Sequence, residues 1–260
     1  MQTSRLDISL LAGLRRDTRE HLLAAGITTL EQIVALQPEE LARFRGINRT
    51  AYRLHAHARA WVEQQPIWYN PLPEHCRQAG FMFDLETDPW TGIPWSLSWS
   101  WTTGTVHIAL VAPDYQPCTL HLRDGQSVTV VPHWEDAWRV FAGAVADTPC
   151  PVYHWSGFDA GVMRRTAPPE VRQRLDGCMV DLLQAFNHTV RLPVSSSSLK
   201  TVAGYLDFRW SAYDSWEQAY HDYQRWLRQQ DDYGLAQACT YQRDDVLALG
   251  LVWQWLVDNS

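Results

Sequence analysis

Long apolar runs are missing from this sequence. No stretch of about 18 apolar residues occurs, which argues against a transmembrane helix. The first residues, MQTSRLDISLLAGLRRDTRE, return to charge before an apolar core has formed, which argues against a secretory signal. Cysteine is sparse: Cys76, Cys118, Cys150, Cys178 and Cys239 are scattered, odd in number and include no C-x-x-C pair. A zinc site or a disulfide framework is therefore not expected, and a reducing cytoplasm fits. Lysine is nearly absent, Lys200 being the only one, and the formal net charge is −7. The chain as a whole does not read as a basic nucleic-acid binder.

The charge is unevenly spread. Residues 1–65 hold nine arginines and seven acids, a net +2, whereas the remainder carries −9. An acidic domain is what a carboxylate metal site would produce, and solubility is the plainer alternative. The length of 260 residues accommodates one large α/β domain and a small appended one. Fourteen tryptophans are present. Most are expected as core or groove-lining rings, with base stacking the alternative for a minority.

Residues 6–65 read as short apolar-periodic helical segments punctuated by Gly13, Gly26 and Gly46, with Pro38 placed to start a helix. Residues 66–78 carry three prolines and read as a linker or extended arm. An α/β domain over 79–260 follows. FMFDLET at 81–87 alternates as a strand, with Phe81, Phe83 and Leu85 on one face and Met82, Asp84 and Glu86 on the other. Further strands are expected at 95–101, 105–111, 118–122 and 127–131, with hairpin turns at Thr103-Gly104 and Asp124-Gly125. A helix over 133–146, a short strand at 151–155 and a helix opening at FDAGVMRR come next. The chain closes on a long helix from about Tyr233 to Val257. This order predicts a mixed sheet covered by helices.

Three segments carry candidate chemistry. Asp84 and Glu86, two apart on a strand, project from one face, where their mutual repulsion is relieved by a divalent cation or a proton. Oxygen ligands favour Mg²⁺ or Mn²⁺. Asp159 follows a strand and a turn, with a helix N-cap as the competing role. Tyr241 and Asp245 are i, i+4 on one helix; a core tyrosine beside a solvated acid is the plain reading. Asp244, about 100° round that helix, should face elsewhere. The serines 195–198 suit the cap of a helix starting near Leu199, with a phosphate contact as the alternative for Ser198 and Lys200. Asp181 either supports the acids from behind or starts a helix. Phe158 and Trp155 are read as core, with a nucleotide-pocket wall as the alternative.

Together FDLET, the stretch from Tyr153 to Phe158-Asp159, and Tyr241 to Asp245 resemble the three motifs of the DEDD 3′→5′ exonucleases, tyrosine subgroup. His154 stands where the related polymerase pattern has Asn, which touches substrate contacts near it rather than the acids. DLLQAFNHTVRLPVSSSSLKTVAGYLDFRW, from Asp181 to Trp210, is similar to the ribonuclease-H-like domain of predicted RecB-family nucleases. The resemblance implies a ribonuclease-H-like α/β fold. It implies two Mg²⁺ or Mn²⁺ ions on Asp84, Glu86, Asp159 and Asp245, and Tyr241 orienting the attacking water. The implied activity is 3′→5′ exonucleolytic cleavage of single-stranded DNA ends. A structure-specific endonuclease, an RNase and a silent nucleic-acid-binding or scaffold module are the rival readings. DNA is favoured over RNA as partner, no membrane partner is expected, and a helicase or second nuclease subunit is a candidate partner.

LAGLRRDTREHLLAAGI and FRGINRTAYRLHAHARAW each place a hydrophobic-Gly-hydrophobic turn before a helix, and resemble a tandem helix-hairpin-helix domain. That resemblance implies DNA-backbone contacts at Gly13 and Gly46, assisted by Arg15, Arg16, Arg49 and Arg53. Protein docking or packing is the competing role.

Overall fold

A computed structural model of the chain describes residues 6–102, 104–145, 151–213 and 215–260. Helices α1 (Arg16–Ala24), α2 (Leu30–Val34), α3 (Pro38–Leu41) and α4 (Ala51–Glu63) come first. Then come strands β1 (Ile67–Trp68), β2 (Phe81–Thr87), β3 (Pro94–Trp101), β4 (His107–Val111), β5 (Cys118–His121) and β6 (Ser127–Val131). Helix α5 (Trp134–Ala144), strand β7 (Val152–His154), helices α6 (Gly157–Thr166) and α7 (Pro169–Leu175), and strand β8 (Met179–Asp181) follow. The remainder is α8 (Leu182–Thr189), β9 (Val190–Arg191), α9 (Leu199–Tyr205), α10 (Trp216–Gln229) and α11 (Asp232–Asn259). Among the described residues, no helix is long and apolar enough to cross a membrane.

The chain divides into two units. One comprises residues 1–73, 183–206 and 256–260, the other 74–182 and 207–255. In the first, Leu22, Leu30, Ile33, Leu41 and Leu54 build a small core among α1 to α4. Thr29 and Gln32 close a reciprocal capping box at the start of α2, which answers two of its unpaired amides. Strand β1, inside the proline-bearing stretch 66–78, pairs antiparallel with β9. Residues far apart in sequence thereby join the N-terminal helices.

The second unit is a seven-stranded mixed sheet in the order β5-β6-β4-β3-β2-β7-β8, flanked by helices. Pairs β2/β3, β3/β4 and β5/β6 are antiparallel, while β4/β6, β2/β7 and β7/β8 are parallel. The β5/β6 hairpin turns at Gly125, where φ of +83° suits glycine. Thr103 of the other anticipated turn lies outside the described residues. The alternation in β2 sends Phe83 and Leu85 into a core with Trp138 and Phe141 of α5, and the Phe83 and Phe141 rings stack at 4.5 Å.

The opposite face of the sheet is polar and small. Ser96, Ser98 and Ser100 of β3 are buried and lie across from Glu86, Asp84 and Met82 of β2. Helix α11 comes close over this face because nothing bulky stands in its way. A Cβ at Gly250 would sit 3.2 Å from the Thr102 carbonyl oxygen and 3.6 Å from Met82. The Ser96 hydroxyl hydrogen-bonds Gln242 of α11 across the interface.

Candidate functional site

The close approach of α11 brings the candidate acids together. Ligand oxygens of Asp84, Glu86 and Asp245 all lie within 4.8 Å of one another. The two strand acids are half-buried and Asp245 is buried. Asp245 Oδ1 accepts a hydrogen bond from the indole N–H of Trp210 at 2.8 Å. Its neighbour Asp244 turns away from the cluster and accepts the backbone N–H of Ser211. Two consecutive acids on α11 therefore hold two consecutive residues of the 207–213 segment. Trp210 is a partner that sequence spacing did not indicate, because nothing local marks an indole 35 residues away as a carboxylate donor.

Tyr241 sits one helical turn before Asp245 and is buried, its ring 5.9 Å from that of Tyr213. Burial makes its hydroxyl far less acidic than an ordinary tyrosine, and the charges of Asp245, Glu86 and Asp84 push the same way. The hydroxyl thus stays protonated and feels all three acids of the cluster.

Asp159 enters from the other side of β2, since β7 pairs parallel with it. Ser156, rather than Asp159, caps α6, accepting the amide of Phe158 at 3.3 Å. Ser156 is held at φ +80° and ψ 168°, a conformation that costs a non-glycine residue about 1–3 kcal/mol. That strained turn delivers Asp159 into a buried position in the first turn of α6. Burial raises its carboxyl well above the usual range, with the charges of Asp181 and Asp245 adding to the effect. Backbone hydrogen bonds to its own amide and to Leu85 oppose the shift. Asp159 is not one of the three acids within 4.8 Å, but it shares their field through Asp245.

His154 ends β7, and its Nδ1 lies 2.5 Å from the Ser156 carbonyl oxygen and 3.8 Å from Asp159. A carbonyl can only accept, so Nδ1 carries the proton. Burial lowers the pKa of the ring, which keeps it neutral. Asp181 ends β8 in register with His154, so it closes a strand and immediately precedes α8. The C-terminal ends of parallel strands are where open α/β sheets place their sites. An all-oxygen donor set of crowded, partly buried carboxylates fits a hard divalent cation, which would offset their repulsion.

Other residues fall as follows. Phe158 is 54% exposed, which corrects the core reading for that ring; Trp155 is half-buried. The side chain of an exposed helix-start residue points outward because the inward place is taken by Asp159. Ser198 caps α9 through the amide of Thr201 at 3.2 Å, and Lys200 is half-buried in that helix. Both belong to the unit containing the N-terminal helices. There Gly13, Arg15, Gly46, Arg49 and Arg53 line one cleft, while exposed Arg16 pairs with Glu20 at 3.0 Å. Arg191, which the sequence alone did not single out, also lines that cleft.

A family model described as the RNase H superfamily matches residues 127–257, half of the chain. The matched stretch contains Asp159, Asp181, Tyr241 and Asp245, and begins after Asp84 and Glu86. No curated protein and no solved structure matches the chain.

Proposed function

The chain belongs to the RNase H superfamily, and from that premise we propose that it is a metal-dependent 3′→5′ exonuclease of the DEDD type, acting on single-stranded DNA ends. One observation carries the reading: Asp84, Glu86 and Asp245 converge within 4.8 Å, and Tyr241 lies on the same helix under the charges of all three. A core tyrosine beside a solvated acid would not share the field of two strand acids.

In this reading Asp84, Glu86, Asp159 and Asp245 hold Mg²⁺ or Mn²⁺. Bound divalent cations supply a water of lowered pKa and offset the charge of the phosphodiester. The protein's own groups position everything else. Trp210 fixes the rotamer of Asp245 by occupying one of its oxygens. His154 and the strained turn at Ser156 hold Asp159 in the site. Tyr241 keeps its proton, so it acts as a hydrogen-bonding orienter of the attacking water and not as a base. The exposed ring of Phe158, next to Asp159, offers a surface for the terminal base. Residues 74–182 and 207–255 form the catalytic unit, in place of the continuous span 79–260 expected from the sequence, and residues 1–65 act as a helix-hairpin-helix-like part that contacts nucleic acid.

The reading is tested with 5′-labelled and 3′-labelled single-stranded DNA and RNA, each with Mn²⁺ or with EDTA. A metal-dependent ladder from the 5′-labelled DNA, with the 3′ label released as a mononucleotide, supports it. A single internal cut, or no cleavage of any substrate, overturns it.

A further inference from the structure

The unit holding the N-terminal helices contains a second concave feature that shares no residue with the acid cluster. It is a cleft of about 490 Å³ formed by the turns at Gly13 and Gly46, the start of α4, and β9. That volume lies in the range of small-ligand pockets, roughly 300–1,000 Å³. Among the described residues, four arginines line it, Arg15, Arg49, Arg53 and Arg191, and no aspartate or glutamate does.

Arg191 is the informative member. It is only 6% exposed, and its Nε makes no hydrogen bond. Its remaining contacts are weak, to Ser197 Oγ at 3.4 Å and the Asn187 carbonyl at 3.5 Å, with the Tyr69 hydroxyl also beside it. Burial lowers its pKa to about 10, and the nearby Arg53 charge works in the same direction. A buried guanidinium beside another cation, with no carboxylate partner among the described residues, is costly unless an anion completes the site. Guanidinium forks match the oxygens of phosphate groups. A strand backbone offers one negative charge per phosphate and is bound along a track. Four cations lining one cleft, one of them buried, match a more compact, doubly charged group.

We propose that this cleft is a phosphomonoester site, in which Arg191 at the floor and Arg15, Arg49 and Arg53 at the rim take a terminal phosphate dianion. The phosphate belongs either to a free nucleoside monophosphate or to the 5′ end of a strand. The inference stands whether or not the acid cluster hydrolyses anything.

The test uses the full chain in EDTA, so that no substrate is consumed. Fluorescence anisotropy compares 5′-phosphorylated with 5′-hydroxyl oligonucleotides of one sequence, and calorimetry compares AMP with adenosine. The phosphate-bearing member of at least one pair should bind about tenfold tighter or more, the gain of roughly one charge-assisted contact. Arg191→Met should abolish that difference while Arg191→Lys retains part of it. A preference in the oligonucleotide pair assigns the site to strand ends; a preference in the AMP pair alone assigns it to free nucleotides. If Arg191→Met does not melt cooperatively, the double variant Arg49→Gln/Arg53→Gln, at exposed positions, decides with the same readout. Equal binding of both members of both pairs overturns the proposal, as does a preference that survives in the folded variants.

Discussion

The indole nitrogen of Trp210 donates to Asp245 Oδ1 at 2.8 Å, joining residues 35 apart in sequence. The adjacent bond from Ser211 N to Asp244 fixes the same segment against α11. Partners of metal-binding carboxylates typically contribute about 10- to 100-fold in metal affinity or activity. Trp210→Phe keeps the ring and removes the donor. It should weaken activation by Mn²⁺ by about 10-fold or more, read as a rightward shift of the Mn²⁺ titration of nuclease rate. An unchanged titration would mean that Asp245 needs no positioning.

Tyr241→Phe separates orientation from proton transfer. Loss of one well-placed hydrogen-bond donor at a reacting centre costs roughly 100-fold in kcat. Because burial and three nearby acids make the hydroxyl harder to deprotonate than usual, it does not titrate in the working range. The pH–rate profile of the variant should therefore keep the wild-type shape at a lower level. A profile that loses its basic limb would show that the tyrosine acts by ionising.

Cation binding should stabilise the fold. At a hundredfold excess over Kd, a ligand bound only by the native state adds about 2.7 kcal/mol. That corresponds to a rise in Tm of roughly 5–10 °C for a unit of this size. Wild type should show this rise with Mn²⁺ and lose it with EDTA, whereas Asp84→Asn should show little of it. Differential scanning fluorimetry gives both numbers.

His57 makes stability depend on pH in a stated direction. It is 3% exposed, hydrogen-bonded through Nε2 to the Val194 carbonyl, and its pKa is lowered to about 4, chiefly by burial. The unfolded chain takes up a proton on this ring near its ordinary value of ~6.5, while the folded chain resists. The stabilisation is thus fully present above the unfolded pKa and is lost as pH falls towards 4, by about 3 kcal/mol at most. Urea melts at pH 7 and pH 4.5 should show a larger loss for wild type than for His57→Gln. Equal losses would mean that His57 is not held neutral.

Much of the large unit was legible from alternation and turn chemistry. Strand β2 was readable because its apolar and acidic residues alternate cleanly, and α11 because its length leaves no other assignment. Strands β8, β1 and β9 were not, since two or three residues carry no period. The position of Asp181 at a strand end depends on pairing with β7, which is a long-range fact. The same is true of β1 with β9, which ties part of the proline-bearing stretch to residues near 190. Among site residues, Asp84, Glu86, Tyr241 and Asp245 could be nominated by local spacing. Trp210 and Arg191 could not, because a tryptophan and an arginine look local and ordinary until the fold places a buried carboxylate or an acid-free cleft beside them. Phe158 shows the reverse error: an apolar residue at a helix start was read as core, yet the inward position belongs to Asp159.

The central claim is that the carboxylate cluster drives metal-dependent phosphodiester hydrolysis. Its most direct test is the single-turnover rate of cleavage of a labelled single-stranded DNA in Mn²⁺ by wild type and by Asp84→Asn, with circular dichroism confirming that both are folded. The account predicts hydrolysis by wild type and a fall of about a thousandfold in the variant, at the upper end of what one electrostatic group contributes. A folded Asp84→Asn protein that cleaves at the wild-type rate would contradict it.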